Sequence, residues 1–196
     1  MSNSKAKNKL FECQHLSIGY TSTLAKNISF EIPNNHLVFI KGRNGSGKST
    51  FINTILGRKS PISGHYKWFI GHDRIAYLPQ ITNPSSHFSY TIGEILDLYN
   101  IAPQYRSMLA NGLENKKWID ASGGEKQKVM ILSRLSKNTE VLILDEPFNH
   151  LDNESINSIV GLLVDLFRHN NISVVLVSHL EVVLPDEIQT IVELNQ

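Results

Sequence analysis

Short apolar runs bounded by Gly, Pro or Asn recur along the chain at Leu10–Leu16, Ala25–Ile32, Leu37–Ile40, Ile75–Leu78, Val141–Leu144 and Val174–Val177. Runs of this length between turn residues predict strands. Elsewhere the period lengthens. Phe51, Ile52, Ile55 and Leu56 share a helical face that stops at Gly57. Ile156, Ile159, Val160, Leu163, Val164 and Phe167 repeat at the spacing of a helix with one buried stripe. A strand–helix–strand order with unbroken apolar strands predicts a parallel sheet covered on both faces. The earliest runs lie close together with turn residues between them, which predicts an antiparallel piece ahead of the main α/β core. Residues 81 to 120 read differently. Asn83-Pro84-Ser85-Ser86 predicts a loop, and Thr91-Ile92-Gly93-Glu94 has the spacing of a capping box opening a helix that carries Ile92, Ile95, Leu96 and Tyr99. Ala102-Pro103 breaks that helix, a second short one is expected around Tyr105–Ala110, and no strand is predicted here. About residues 81–124 therefore read as a small helical subdomain inserted into an α/β core formed by about residues 10–80 and 125–196.

Composition narrows this picture without changing it. A chain of 196 residues has room for one large domain with a subdomain attached. Its 41% hydrophobic and 19% charged content is that of an ordinary globular protein. A formal net charge of +1 argues against a general electrostatic attraction to nucleic acid or anionic lipid. The single cysteine, Cys13, excludes an intrachain disulfide framework, fits a reducing compartment and is expected as a packed strand residue. No stretch approaches the roughly 18–20 apolar residues that span a bilayer, and the lysine-rich start, Met1–Lys9, lacks the apolar core of a secretory signal. A cytoplasmic protein is expected, with any membrane connection made through a partner.

Candidate chemistry begins at Gly42-Arg43-Asn44-Gly45-Ser46-Gly47-Lys48-Ser49, followed by Thr50. This is G-x-x-x-x-G-K-[ST] set between an apolar strand (Leu37–Ile40) and an amphipathic helix (Thr50–Leu56), the context in which it cradles phosphates. Glycines let successive backbone N–H groups point inward, and the helix end adds partial positive charge. Lys48 supplies a point charge for the outer phosphates, and the Ser49 hydroxyl suits Mg²⁺. Gly42, Asn44, Gly45, Ser46, Gly47, Lys48, Ser49 and Thr50 are thus the candidate phosphate-binding residues. The strand Val141–Leu144 ends in Asp145-Glu146, and carboxylates at the carboxyl ends of parallel strands face the ligand crevice. Asp145 is the candidate metal ligand and Glu146 the candidate group that polarises a water. His179 leaves the strand Val174–Val177 and could donate to a γ-phosphate or to the attacking water; the other seven histidines lack metal-ligand spacing.

Together these residues resemble the ATP-binding-cassette (ABC) ATPases, over about residues 10 to 194. Gly42–Ser49 is similar to the Walker A motif and Val141–Glu146 to Walker B. Gln80, in Ala76-Tyr77-Leu78-Pro79-Gln80, resembles the Q-loop glutamine, and Ala121-Ser122-Gly123-Gly124-Glu125 the LSGGQ signature. Leu151-Asp152 resembles the D-loop, His179 the switch histidine, and Tyr20 the aromatic residue on which adenine stacks. The resemblance implies a P-loop NTPase core with a parallel sheet, an N-terminal antiparallel β subdomain and a small inserted helical subdomain. It also implies ATP and Mg²⁺ as ligands, with Ser49, Gln80 and Asp145 near the metal and Glu146, His179, Lys48 and Gln80 in catalysis. Ser122, Gly123, Gly124 and Glu125 would meet the γ-phosphate held by a second subunit, so that two copies sandwich two ATP molecules. Asp152 reads equally as a helix cap, and Tyr20 as a strand-end residue packed on its neighbours. Ala121 departs from the usual signature leucine, the gap from Gln80 to Ala121 is short for the family, and no regulatory extension is expected after Ile191–Gln196.

Three functions fit that resemblance. One is the energy-coupling subunit of a transporter, a homodimer when ATP-bound, working with a separate membrane-spanning permease subunit and not with nucleic acid. Another is a soluble ABC ATPase acting on ribosomes or DNA, since Asn149-His150-Leu151-Asp152 resembles the NHLD run of the ABC-F factors; the second cassette and charged linker of those proteins are lacking here. The third is a degenerate cassette that does not hydrolyse ATP, against which Lys48, Asp145, Glu146 and His179 weigh.

Overall fold

The computed structural model describes residues 9–80, 89–180, 182 and 190–194; the loop predicted at Asn83–Ser86 lies outside them. Its strands are β1 (Lys9–Gly19), β2 (Thr23–Pro33), β3 (Leu37–Lys41), β4 (Ser63–Trp68), β5 (Ile75–Leu78), β6 (Val141–Asp145), β7 (Ser173–Ser178) and β8 (Thr190–Glu193). β1, β2 and β4 form an antiparallel sheet in the order β2-β1-β4. The other five form a parallel sheet in the order β5-β6-β7-β3-β8. The sequence pattern does not disclose β4 or β8. β4 is Ser-Gly-His-Tyr-Lys-Trp on a sheet edge, with only Tyr66 and Trp68 turned toward the core. β8 is a four-residue edge strand without a buried residue, so neither carries the continuous apolar run of a central strand.

Alternation along the central strands builds two cores. Val38, Ile40, Val141, Ile143, Val175 and Val177 pack toward α1 (Lys48–Ile55) and the antiparallel sheet. Leu37, Phe39, Leu142, Leu144, Val174 and Leu176 pack on the opposite side. That side is covered by α2 (Ile92–Leu98), α3 (Pro103–Arg106), α4 (Gly123–Leu132) and α5 (Asn153–Asn170). Cys13 is a buried strand residue, as expected, and burial pushes its thiol up to about 11.

The helix boundaries teach where side chains compete with the backbone. α4 ends at Leu132, where Ser133 Oγ donates back to the Met130 carbonyl at 2.7 Å and Thr139 Oγ1 accepts from the Ser136 amide at 2.9 Å, closing a turn. α3 is one turn from Pro103 rather than a helix through Ala110. The buried stripe of α5 is rotated from the predicted one, taking in Leu162 and Leu166 while Phe167 is only partly buried. α2 begins at the predicted capping box, with Thr91 Oγ1 accepting from the Glu94 amide and Glu94 accepting from the Thr91 amide. Among the described residues from 89 to 122, strand-like pairing is confined to one antiparallel bridge, Thr91 to Lys117. No helix among the described residues is long and apolar enough to cross a membrane.

Candidate functional site

The parallel register aligns the carboxyl ends of β3, β7 and β6: Lys41 lies opposite Ser178, and Val177 opposite Asp145. The glycine-rich loop leaves β3 at this edge. Gly45 and Gly47 have φ of 84° and 95°, left-handed conformations in which glycine carries no Cβ penalty, and Gly47 is the N-cap of α1. Ser46 donates its amide to the Arg43 carbonyl at 3.1 Å, closing the loop on itself. Over it lies a cleft of about 440 Å³ that brings together Asn44, Gly45, Gly47, Lys48, Ser49 and Thr50 with Gln80, Glu146 and His179.

Within the cleft the chain satisfies its own charges. Lys48 Nζ donates to the carbonyls of Gly42 and Arg43 at 2.7 and 3.1 Å and lies 3.1 Å from Glu146 Oε1, with both side chains over nine-tenths buried. That Oε1 is ion-paired but lacks hydrogen-bond geometry to any described residue. Glu146 Oε2 faces His179 Nδ1 at 2.9 Å and accepts from Ser178 Oγ at 3.2 Å and the His179 amide at 3.3 Å. The backbone of Glu146 sits at φ 50°, a costly conformation for a residue with a side chain. It is held by the Glu146 amide donating to the Val177 carbonyl at 2.8 Å.

Asp145 lies beneath the loop rather than in the cleft lining. Burial raises its pKa above the usual carboxylate range, opposed by a hydrogen bond from Ser49. Tyr77 OH donates to Oδ2 at 3.4 Å, a long bond, and burial pushes the Tyr77 phenol up to about 12. Asp145 Oδ1 is buried without a hydrogen-bond partner among the described residues, as is Ser46 Oγ. A hard divalent cation fits here: the donors are a hydroxyl and a carboxylate, and the orphaned oxygen gains what burial withheld.

The remaining predicted residues lie outside the cleft lining of their own chain. Ser122 is the N-cap of α4, its hydroxyl accepting from the Glu125 amide at 3.1 Å while Glu125 Oε2 accepts from the Ser122 amide at 2.7 Å. A side chain on Gly124 would collide with Ser155 on α5, whose Oγ would be 2.5 Å from the added carbon; at Gly123, Leu151 would stand 3.0 Å away. Gly124 is thus a close-packing residue, and the whole turn rests on the start of α5. Asp152 caps that helix, accepting from the Ser155 amide at 2.7 Å. Tyr20 is 69% exposed, with Lys59 Nζ 4.1 Å above its ring.

A model of the ABC transporter family matches residues 25–149, from β2 through Walker B to Asn149. The chain belongs to the ABC transporter family, as one of its ATP-binding cassettes. It is 31% identical over 163 residues to the zinc import ATP-binding protein ZnuC of Acinetobacter baylyi, an alignment covering 80% of this chain and 62% of that protein. The chain thus spans less than two thirds of that relative's length. Its fold superposes on the ADP conformation of MJ1267, an ATP-binding cassette of an ABC transporter, with a TM-score of 0.74 at 20% identity, covering 88% of this chain and 82% of that one. It also superposes on MJ0796, a cassette described as a dimer in a post-hydrolysis state bound to ADP and Pi, with a TM-score of 0.64 at 23% identity, covering 87% and 88%.

Two residues of this cassette's cleft escape sequence reasoning, Leu24 and Asn149. Leu24 lies in a strand of ordinary amphipathic character and reaches the loop because Gly47 has no side chain; a carbon added there would stand 3.1 Å from Leu24 Cβ. Asn149 follows Walker B by three residues, and the turn at Glu146 directs it to the cleft.

Proposed function

We propose that this cassette binds ATP with Mg²⁺, hydrolyses it between two copies of the chain, and uses that cycle to energise transport through a separate membrane-spanning subunit. The convergence of Lys48, Glu146 and His179 on one cleft above the glycine loop carries the proposal. Backbone amides of Gly45–Ser49 and the Lys48 ammonium hold the triphosphate. Ser49 and Asp145 would hold Mg²⁺, with Gln80 at the cleft edge as a further ligand, and the metal would neutralise charge on the phosphate oxygens. Once Lys48 turns to phosphate, Glu146 Oε1 is released to polarise a water, while His179 keeps Oε2 oriented and donates to the γ-phosphate. Tyr20 stacks on the adenine.

The turn Ser122–Gly124 lies outside its own cleft and offers amides, a hydroxyl and a helix start. In this reading it completes the site of a second copy, a homodimer consistent with the dimeric MJ0796. Asp152 serves as a cap and as part of the same contact. The segment that carries α2 and α3 presents the surface that meets the permease, at the cytoplasmic face of a membrane. The import role of the ZnuC relative favours transport over a ribosomal or DNA role. The test is ATP-dependent dimerisation by light scattering in Glu146→Gln, with steady-state hydrolysis in the parent. The reading expects a dimer with ATP, a monomer without it, and no turnover in the variant. A Glu146→Gln chain that stays monomeric at saturating ATP overturns the sandwich. Recovery of ribosomes rather than a multi-span protein in pull-down overturns the transport role.

A further inference from the structure

Lys116 stands where two helices begin, and the site described so far does not use it. Its carbonyl accepts the amide of Ile92, the first residue of α2, at 2.9 Å. Its ammonium donates to Glu125 Oε2 at 2.7 Å, the same oxygen that accepts the Ser122 amide at 2.7 Å. Around it, Lys117 bridges to Thr91 and the Trp118 amide donates to the Tyr90 carbonyl at 2.9 Å. Residues 116–118 are therefore laced to residues 90–92 on one side and, through one lysine side chain, to the first turn of α4 on the other.

We propose that Lys116 is a positioning residue for the Ser122–Glu125 turn, clamping the Glu125 carboxylate so that any displacement at the start of α2 is carried to the turn. The inference rests on the reading that this turn meets the phosphate held by a second copy. Glutamate at position 125 is what makes the clamp possible. A glutamine there could still complete the capping box with Ser122 but would form no ion pair. The lysine ammonium is the largest influence holding the Glu125 carboxyl below its ordinary range, consistent with a contact made to the charged form. Both side chains remain about a third exposed (37% and 31%), and pairs so exposed add little to overall stability. The contribution is one of geometry: Glu125 without Lys116 keeps its helix but has one anchor fewer holding the Ser122 amide and hydroxyl in register.

Two measurements on the full chain decide it. In the nucleotide-free monomer, Lys116→Met should speed hydrogen exchange at the Ser122 amide about fivefold, with Lys116→Arg restoring slow exchange. Unchanged exchange overturns the clamp. In the Glu146→Gln background, Lys116→Met should weaken the ATP-driven dimer about fivefold while the affinity of the monomer for a fluorescent ATP analogue stays within about twofold, since the turn lies outside its own cleft. Lys116→Arg should restore the dimer, and adding Glu125→Gln should leave Lys116→Met with no further effect. An equal loss in the Glu125→Gln background assigns Lys116 a general structural role and overturns the proposal. If Glu146→Gln itself fails to dimerise, the sandwich reading falls, and the exchange experiment still decides whether Lys116 orders the turn.

Discussion

Replacing Glu146 by Gln in the nucleotide-free protein tests the self-satisfied cleft most directly. At 3.1 Å, an ion pair in an effective dielectric of about 20 has a gross attraction of about 5 kcal/mol. Desolvation of both ends offsets much of that. Removing one partner of a buried pair nevertheless costs about 3–5 kcal/mol, because the other charge is left uncompensated. Lys48 keeps two carbonyl acceptors, those of Gly42 and Arg43, so the low end applies, about 3 kcal/mol. For a chain of this size each kcal/mol moves Tm by about 2–4 °C, and Glu146→Gln should melt about 6–12 °C below the parent without nucleotide. Saturating ATP supplies phosphate charge to the same ammonium, so the gap should close and the variant should gain more from ATP than the parent does. The assay is calorimetry with and without ATP and Mg²⁺, extended to Lys48→Met and the double variant. Removing both charges leaves nothing uncompensated, so the double variant should melt above Glu146→Gln. Equal nucleotide-free melting of the parent and Glu146→Gln, or additive losses in the double variant, would refute the reasoning.

Three further outcomes follow from individual contacts. Burial holds the Asp145 pKa above its unfolded value, so the folded chain favours the protonated form; stability is full below the unfolded pKa and is lost as pH rises through the folded one. Asp145→Asn should therefore raise the nucleotide-free Tm at pH 7 by a few degrees, about 0.5–2 kcal/mol, while Mg²⁺ no longer tightens ATP binding; a variant that melts lower at pH 7 contradicts the orphaned-carboxylate account. Gly124→Ala drives a carbon into Ser155, an overpacking cost of about 1–3 kcal/mol; thermal melting should fall and ATP-driven dimerisation should be lost, with Gly124→Ala/Ser155→Gly recovering part of both. Cys13, its thiol pushed up to about 11 and buried, should resist Ellman's reagent at pH 8 in the native chain and react fully in denaturant; rapid native labelling would show that the first strand opens.

What the sequence discloses and what it hides divide on a physical line. The glycine loop is legible because its chemistry is local: backbone amides, a lysine and a hydroxyl are fixed by residues adjacent in the chain. Walker B is legible because an apolar strand that stops at two acids delivers them to the carboxyl edge whatever the sheet order. The Asp152 cap is legible for the same reason. The contacts of Glu146 with Lys48 and with His179 are not, since they require β6 and β7 to be neighbours and β7 to lie beside β3, and strand order is a non-local property. Nor does any pattern announce that Glu146 turns at φ 50°. Lys116 is hidden too, as a lysine in a polar turn whose role depends on how two helix starts meet.

That closed contact changes how the cleft must work. In the structure Lys48 and Glu146 neutralise one another, and His179 lies against the far oxygen of the same carboxylate. In the proposed function a triphosphate that claims Lys48 replaces Glu146 as its counter-charge. In that reading the exchange that fixes the substrate also frees Oε1 to face a water. A chain lacking this pairing would carry an uncommitted base at all times, exposed to whatever enters the cleft. Under the proposed function the base is withheld until phosphate is bound, and nucleotide affinity is lowered by the cost of opening the pair. Glu146→Gln should accordingly bind ATP more tightly than the parent in a monomer titration, and weaker binding would show that the pair assists the nucleotide instead of competing with it.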